Sequence, residues 1–204
     1  MSDIKRAVPD HPIHSLLAER RSPYAFASRP VGASELRSLF EAARWAPSCF
    51  NEQPWSYIVA TKDDATEFER LLACLVDANQ AWAKAVPVLA LGVVSQKFAL
   101  NGKDNRTAAH DLGLAAGNLL VEATARGLVV HQMAGILPDK ARETYSIPDG
   151  HVAWTGIAIG YPGDPATIAE PYKTRDLTPR RRKPLSEFVF RGEWGATSPL
   201  VAKS

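Results

Sequence analysis

The strongest helical pattern in the chain lies between about residue 107 and residue 126. Apolar side chains recur there at intervals of three and four residues, as at Leu112, Ala115 and Leu119, so the segment has one continuous apolar face. Gly127 follows it, at a position where helices usually end. We therefore expect a long helix here, at the centre of the fold.

Two glycines interrupt the side chains of this predicted helix. Gly113 and Gly117 are four residues apart, so they fall on the same edge of the helix and leave that edge without side chains. A second backbone or a flat ligand could approach the edge closely. A tight contact with another helix is an equally good interpretation of the spacing.

A nearly uninterrupted apolar run over residues 87–95 predicts a strand that is buried on both faces, in the middle of a sheet. The other predicted elements are strands at 56–61, 128–133 and 152–159, and helices from Pro12 to Leu17, from the cap Ser34 to the stop Pro47, over the stripe from Phe68 to Leu75, and at 139–145. Beyond residue 165 the sequence is rich in proline and mostly irregular. Because helices and strands are interleaved, a layered α/β or α+β domain is expected.

Composition excludes several other classes of protein. The 204 residues are 46% hydrophobic and 23% charged with a net charge of +2, which is near the globular average and unlike disordered or fibrous chains. Two cysteines are too few for a disulfide framework or a four-thiolate zinc site, and the five histidines are scattered, so no metal site is expected. The longest apolar run is about ten residues, half of a membrane-spanning helix, and the charged first thirty residues lack the apolar core of a secretory signal. We expect a cytoplasmic protein with no membrane partner.

Common motifs for phosphate loops, dinucleotide fingerprints, zinc proteases and serine hydrolases do not occur in the chain. Three other segments are rich in groups that bind a phosphate or the polar edge of a ring. In the first, Arg20 and Arg21 precede Ser22 at a predicted helix end. A guanidinium group matches a phosphate through two parallel hydrogen bonds, although a solvated basic helix end has the same sequence.

The second segment, residues 45–55, is bracketed by prolines and tryptophans, which would present its small polar side chains rigidly. The third is the basic run at 180–183, which is typical of a solvated face or a nucleic-acid patch. The chain has neither a recognition-helix motif nor the aromatic pattern of an RNA-binding sheet. Nucleic acid is therefore not expected as a partner.

In their order and spacing, these segments resemble the nitroreductase family of FMN-dependent NAD(P)H oxidoreductases. The resemblance extends from about residue 14 to residue 195. It is carried by RRSPYAF at 20–26 with Pro30-Val31 after it, APSCFNEQPW at 46–55, Asn79, the helix with Asp111 to Ala123, Gly127-Leu128, His131 to Gly135, Gly160-Tyr161-Pro162, and RRRKPL at 180–185.

The resemblance implies an α+β fold of three layers, in which helices flank a central mixed or antiparallel sheet. It further implies a single domain, residues 1–204, that forms an intertwined homodimer with flavin sites at the interface. An extended C-terminal arm, from about residue 165 to residue 204, would contact the partner subunit. The arm would give the apolar side chains of Phe188, Phe190 and Trp194 a surface to bury against.

The resemblance also implies FMN as the cofactor and assigns residues to it. These are Arg20, Arg21, Ser22, Arg180 and Arg182 at the phosphate and ribityl chain, Tyr24 beside them, Pro47, Ser48, Cys49 and Asn51 from the other subunit, Asn79 at the pyrimidine edge, and Met133, Ala134 and Gly135 along the ring. No metal ligand and no catalytic side chain is assigned, because flavin N5 carries the chemistry. Tyr24 stands where the family often has arginine or lysine. Cys49 stands where the family often has serine, and we interpret it as a small flavin contact rather than a reactive thiol.

The implied reaction is a two-electron ping-pong transfer. NADH or NADPH would reduce the flavin and leave, and a nitroaromatic, a quinone or a similar small acceptor would then take the electrons at the same place. The sequence does not favour either nicotinamide. Two alternatives remain open: a relative with other flavin chemistry, such as reductive dehalogenation or flavin cleavage, and a non-catalytic flavin-binding protein.

Overall fold

The computed structural model describes residues 4–201, which form one sheet with helices on both of its faces. Its helices are α1 (Ser15–Glu19), α2 (Ala33–Arg44), α3 (Ala65–Leu72), α4 (Asp77–Ala83), α5 (Ala108–Ala125), α6 (Pro138–Tyr145) and α7 (Tyr172–Leu177). Its strands are β1 (Trp55–Thr61), β2 (Val88–Ser95), β3 (Val129–Met133) and β4 (His151–Gly160). Residues 1–3 and 202–204, which belong to the predicted domain and arm, lie outside the described part.

The sheet has the strand order β1-β2-β4-β3, and every neighbouring pair is antiparallel. Strand β2 lies inside the sheet, where Val88 pairs with Thr61 on one side and with Ile159 on the other. All its residues except the last are buried. The prediction of a central strand at 87–95 is confirmed, and the antiparallel pairing makes the fold α+β.

Two hydrophobic clusters, one on each face of the sheet, produce the three layers. Alternate residues of β2 point to opposite faces, so Leu89 and Leu91 pack in a cluster with Phe68 of α3. Their neighbours Val88 and Ala90 join the cluster of α2 and α5 on the other face. Because both faces are covered, β2 has to be apolar at nearly every position. The predicted arrangement of helices around a central sheet is confirmed.

Helix α5 is the central helix that the sequence predicts. Leu112, Ala115 and Leu119 are buried, and the chain leaves the helix at Gly127 with a φ of 71°. Gly113 and Gly117 lie on the opposite side, where a Cβ atom built at either position meets nothing within 4 Å. Within residues 4–201, no other helix therefore packs tightly against these two glycines.

Several predicted boundaries are wrong. Helix α2 begins at Ala33, because the carbonyl of Gly32 accepts the first helical hydrogen bond from Leu36 N; Ser34 therefore lies inside the first turn and does not cap the helix. Helix α1 begins after His14, whose Nδ1 accepts a hydrogen bond from Leu16 N, rather than at Pro12. Helix α3 ends at Leu72, so Leu75, predicted to continue the apolar stripe that includes Phe68, lies beyond the helix.

The segment after β4 contains more structure than the sequence predicts. It includes α7 and three short 3₁₀ turns, at Pro165–Thr167, Leu185–Glu187 and Pro199–Val201. Phe188 and Trp194 remain 56% and 94% exposed. Among the described residues, no helix is long and apolar enough to cross a membrane.

Candidate functional site

A basic cavity of about 230 Å³ lies between the loop that follows α1 and the segment that follows α7. Its lining includes five of the residues predicted to bind the cofactor: Arg20, Arg21, Ser22, Arg180 and Arg182. The two groups are about 160 residues apart in the chain. The structure therefore brings the first and third predicted segments together.

The side chains of Arg20 and Arg182 both line this cavity. Burial is the main cause that lowers the pKa of Arg20, and the nearby charge of Arg182 lowers it further. Arg20 Nη1 donates to Ser22 Oγ at 3.1 Å. Two cations held this close to each other favour the binding of an anion between them.

The side chain of Arg180 contacts backbone carbonyl groups of the same part of the chain. Its Nη1 donates to the carbonyl of Arg20 and its Nη2 to the carbonyl of Ala18, each at 2.5 Å. The guanidinium group of Arg180 thereby fixes the direction in which the Arg20 side chain leaves the backbone. The geometry gives Arg180 a supporting contact that the sequence did not predict.

Asp176 of α7 is a residue of the cavity that the sequence did not predict. It is 4% exposed, and its carboxylate accepts hydrogen bonds from Tyr24 N at 3.0 Å and from Ala25 N at 2.9 Å. The available signal was weak: residues 171–184 contain six cationic side chains and this single acid. A carboxylate that accepts backbone N–H groups holds the loop in place.

Tyr24 does not line the basic cavity. Its ring packs into an aromatic cluster, with centroids 5.1 Å from Trp82, 4.7 Å from His131 and 5.0 Å from Tyr172. Its hydroxyl accepts a hydrogen bond from Arg175 Nη1 at 3.3 Å. Among the residues predicted at the phosphate end, Tyr24 is therefore the one that points into the core.

A second group of predicted residues meets at the turn that follows β3. Asn79 Nδ2 donates to the carbonyl of Gly135 at 2.9 Å, and Trp82 Nε1 donates to Asn79 Oδ1 at 3.4 Å. A Cβ atom at Gly135 would lie 2.5 Å from Asn79 Nδ2, so any side chain there would displace Asn79 from its hydrogen bond to the Gly135 carbonyl. Met133 and Ala134 line a separate open cavity beside Gly113 of α5.

The third group, Pro47, Ser48, Cys49 and Asn51, lies in a loop beside the N-terminus of α5. Cys49 N donates to the carboxylate of Asp111 at 3.2 Å, and Ser48 Oγ accepts from Gln53 N at 2.9 Å. Asn51 has a φ of 56°, and the two residues Phe50 and Gln53 also have positive φ values, a conformation that non-glycine residues rarely adopt. None of the four predicted residues lines the basic cavity of its own chain.

Asp111 is the anchor of this loop. It is 2% exposed and also accepts a hydrogen bond from Thr107 Oγ1 at 3.3 Å. The sequence placed Asp111 on the central helix but gave no reason to expect a contact with Cys49, because the two residues are 62 positions apart. Buried carboxylates therefore support two of the three predicted segments.

Comparison with known proteins gives consistent results. Residues 17–161 match the model of the Nitroreductase family. A solved structure of an oxidoreductase containing FMN superposes with a TM-score of 0.87 at 30% identity, over 97% of this chain and 99% of that chain. A 15.4 kDa protein of Mycolicibacterium smegmatis is 35% identical over 136 residues, which are 65% of this chain and 88% of the relative. The NADH dehydrogenase of Thermus thermophilus is 29% identical over 200 residues, with 84% and 92% of the two chains covered.

Proposed function

The chain belongs to the nitroreductase family, and from that premise we propose that it is an FMN-dependent oxidoreductase. It takes electrons from NADH or NADPH and passes them to nitroaromatics, quinones or similar small acceptors. The observation that carries the proposal is the basic cavity that Arg20 and Arg182 line together. Relatives described as an FMN-containing oxidoreductase and an NADH dehydrogenase support the same reaction class.

The residues of the basic cavity fit the phosphate of FMN. Arg20, Arg21, Ser22 and Arg182 would bind its oxygens, while Arg180 would hold the loop from behind through the Arg20 carbonyl. The phosphate would relieve the repulsion between the partly buried cation of Arg20 and the exposed cation of Arg182. That relief is a reason to expect a dianionic ligand rather than a neutral one in this place.

The turn after β3 would hold the ring of the cofactor. Asn79 binds the carbonyl of Gly135. This hydrogen bond holds the backbone of Met133, Ala134 and Gly135 at the edge of the sheet that β3 forms. When bound, FMN supplies the hydride acceptor and donor atom, and the protein positions it and tunes its charge. Tyr24, whose ring lies in the aromatic cluster, would support this part of the site from the core side.

We also propose that the enzyme is a homodimer. Pro47, Ser48, Cys49 and Asn51 do not reach the cavity of their own chain, so they would complete the site of the partner subunit. The exposed edge at Gly113 and the exposed arm residue Trp194 offer apolar or side-chain-free surface for such a partner. In this dimer each subunit would be one domain, residues 1–204, and its arm from about residue 165 to residue 204 would contact the partner.

A reducing compartment suits the two free cysteines, of which Cys49 is partly exposed. The proposal therefore places the enzyme in the cytoplasm. It assigns no metal, no nucleic acid and no membrane as a partner. The small-molecule acceptor and the nicotinamide are the only other ligands it requires.

Anaerobic flavin reduction tests the proposal. The purified protein should be yellow, should lose its flavin absorbance when NADH or NADPH is added under nitrogen, and should regain it with an acceptor. A panel of nitroaromatics, quinones and halogenated phenols, with the flavin checked for fragmentation, separates the reductase from relatives with other flavin chemistry. Yellow protein that neither nicotinamide bleaches would identify a flavin-binding protein without this activity. Colourless protein that does not take up FMN would refute the proposal as a whole.

A further inference from the structure

The backbone of the loop from Arg20 to Ala25 is held by three side chains from distant parts of the chain. Arg180 donates to the carbonyl of Arg20, and Asp176 accepts from the N–H groups of Tyr24 and Ala25. The third side chain is His131 of β3, whose Nδ1 lies 2.9 Å from the carbonyl of Pro23. The loop that carries Arg20, Arg21 and Ser22 is therefore fixed at its beginning, middle and end.

The contact between His131 and Pro23 defines the tautomer of the histidine. A carbonyl oxygen can only accept a hydrogen bond, so Nδ1 has to carry the proton. Proline has no backbone N–H, which leaves its carbonyl as the only backbone group through which residue 23 can be oriented by a hydrogen bond. The peptide between Pro23 and Tyr24 is thus held at both of its polar atoms: His131 donates to its carbonyl, and Asp176 accepts from its N–H.

The ring of His131 is itself held rigidly. Its centroid lies 4.7 Å from that of Tyr24 and 4.7 Å from that of Trp82. Burial lowers the pKa of His131, although the contact with Pro23 and the charge of Asp176 oppose this shift. The neutral form with a proton on Nδ1 is therefore the form that the fold selects.

We propose that His131 is a positioning residue that sets the anion-binding loop against the ring-binding strand, through its hydrogen bond to the Pro23 carbonyl. The proposal rests on the proposed function, in which this loop binds the FMN phosphate. His131 lies two residues before Met133 on β3, so one side chain joins the phosphate end of the site to the ring end. Loss of the His131 hydrogen bond should weaken the phosphate-dependent part of the affinity for FMN. The part that depends on the flavin ring should not change.

Two kinds of substitution separate the hydrogen bond from the packing of the ring. His131→Phe keeps an aromatic ring between Tyr24 and Trp82 but removes the donor. His131→Asn loses the ring but places an amide N–H close to the position of Nδ1. His131→Gln, whose amide lies nearer to the position of Nε2, is a second variant without the donor, in case the phenylalanine variant does not fold.

The test compares the dissociation constants of FMN and riboflavin for each variant, measured by flavin fluorescence. We expect His131→Phe and His131→Gln to weaken FMN about tenfold, as expected for one hydrogen bond, and riboflavin by less than about twofold. His131→Asn should retain the preference for FMN. Leu39→Val serves as the control, because this fully buried residue packs on the other face of the sheet and should lower the melting temperature without changing the ratio.

Each result is decisive. An unchanged ratio in the variants without the donor, or an equal loss for FMN and riboflavin, would overturn the role of His131 while leaving the proposed function intact. A preference for FMN that is lost equally in His131→Asn would show that the ring, not the hydrogen bond, is responsible, and would also overturn it. Wild-type protein that binds neither flavin would overturn the proposed function, and this inference with it.

Discussion

The pair of cations in the basic cavity leads to a quantitative prediction for Arg20→Ala. The substitution removes one of the three guanidinium groups, those of Arg20, Arg21 and Arg182, that would share the FMN phosphate. A hydrogen bond to a charged group contributes about 1.5–3 kcal/mol, and the loss of Arg20 also relieves its repulsion with Arg182 in the free protein. We therefore expect a loss of about 2 kcal/mol, which is a rise of about 30-fold in the dissociation constant of FMN.

The assay is a fluorescence titration of FMN at low and moderate salt, repeated with riboflavin. Riboflavin lacks the phosphate, so its affinity should change little in Arg20→Ala. Arg29→Ala is the matched control: it removes the same charge from the same region, but Arg29 is exposed and lies over the ring of Tyr161, 3.9 Å from its centroid. An FMN affinity that stays within a factor of about two of the wild type, or that falls as much in Arg29→Ala, would refute the assignment of Arg20 to the phosphate.

Three further predictions concern stability and assembly. Asp111→Ala removes the buried acceptor of Cys49 N and should lower the free energy of unfolding in urea by about 3 kcal/mol; a loss below about 1 kcal/mol would show that the anchor is dispensable. Because the pKa of His131 is lowered from 6.5, its contribution to stability is complete above that pH and is lost as the pH falls below it. The free energy of unfolding of the wild type should therefore fall more than that of His131→Asn between about pH 7.5 and pH 5, and parallel curves would contradict this. Gly117→Leu adds a side chain in open space, so the monomer should fold but the dimer should dissociate in light scattering; a dimer that persists would place the interface elsewhere.

The elements that the sequence predicts well are long and have the same pattern of burial along most of their length. The apolar run at 87–95 and the periodic helix at 107–126 are each covered by neighbours along most of their length, so their patterns are strong. The capping role predicted for Ser34 failed because Gly32 accepts the first hydrogen bond, so that helix α2 begins two residues earlier, at Ala33. Such ends depend on one or two contacts that a pattern does not show.

The candidate site divides in a similar way. The basic side chains of the cavity could be predicted from their types and from the family resemblance. The roles of Asp176, His131 and Asp111 could not be predicted. Each binds the backbone of a residue 62 to 152 positions away, and every residue has a similar backbone, so the sequence does not show which one will be bound. The residues that bind a ligand are easier to recognise than the residues that hold them.

The anion cavity joins the loop after α1 to the segment after α7, and the ribosome makes these two parts at different times. All four strands are complete once Gly160 has been made, so the sheet and the two hydrophobic clusters on its faces can form while the segment after β4 is still inside the ribosome. The loop with Arg20 and Arg21 emerges before any of the strands, whereas Asp176, Arg180 and Arg182 follow all four. Until residues 176–182 have been made and have docked, the sheet can thus be folded while the cavity is open on one side, and under the proposed function the phosphate-dependent part of the affinity for FMN would be missing.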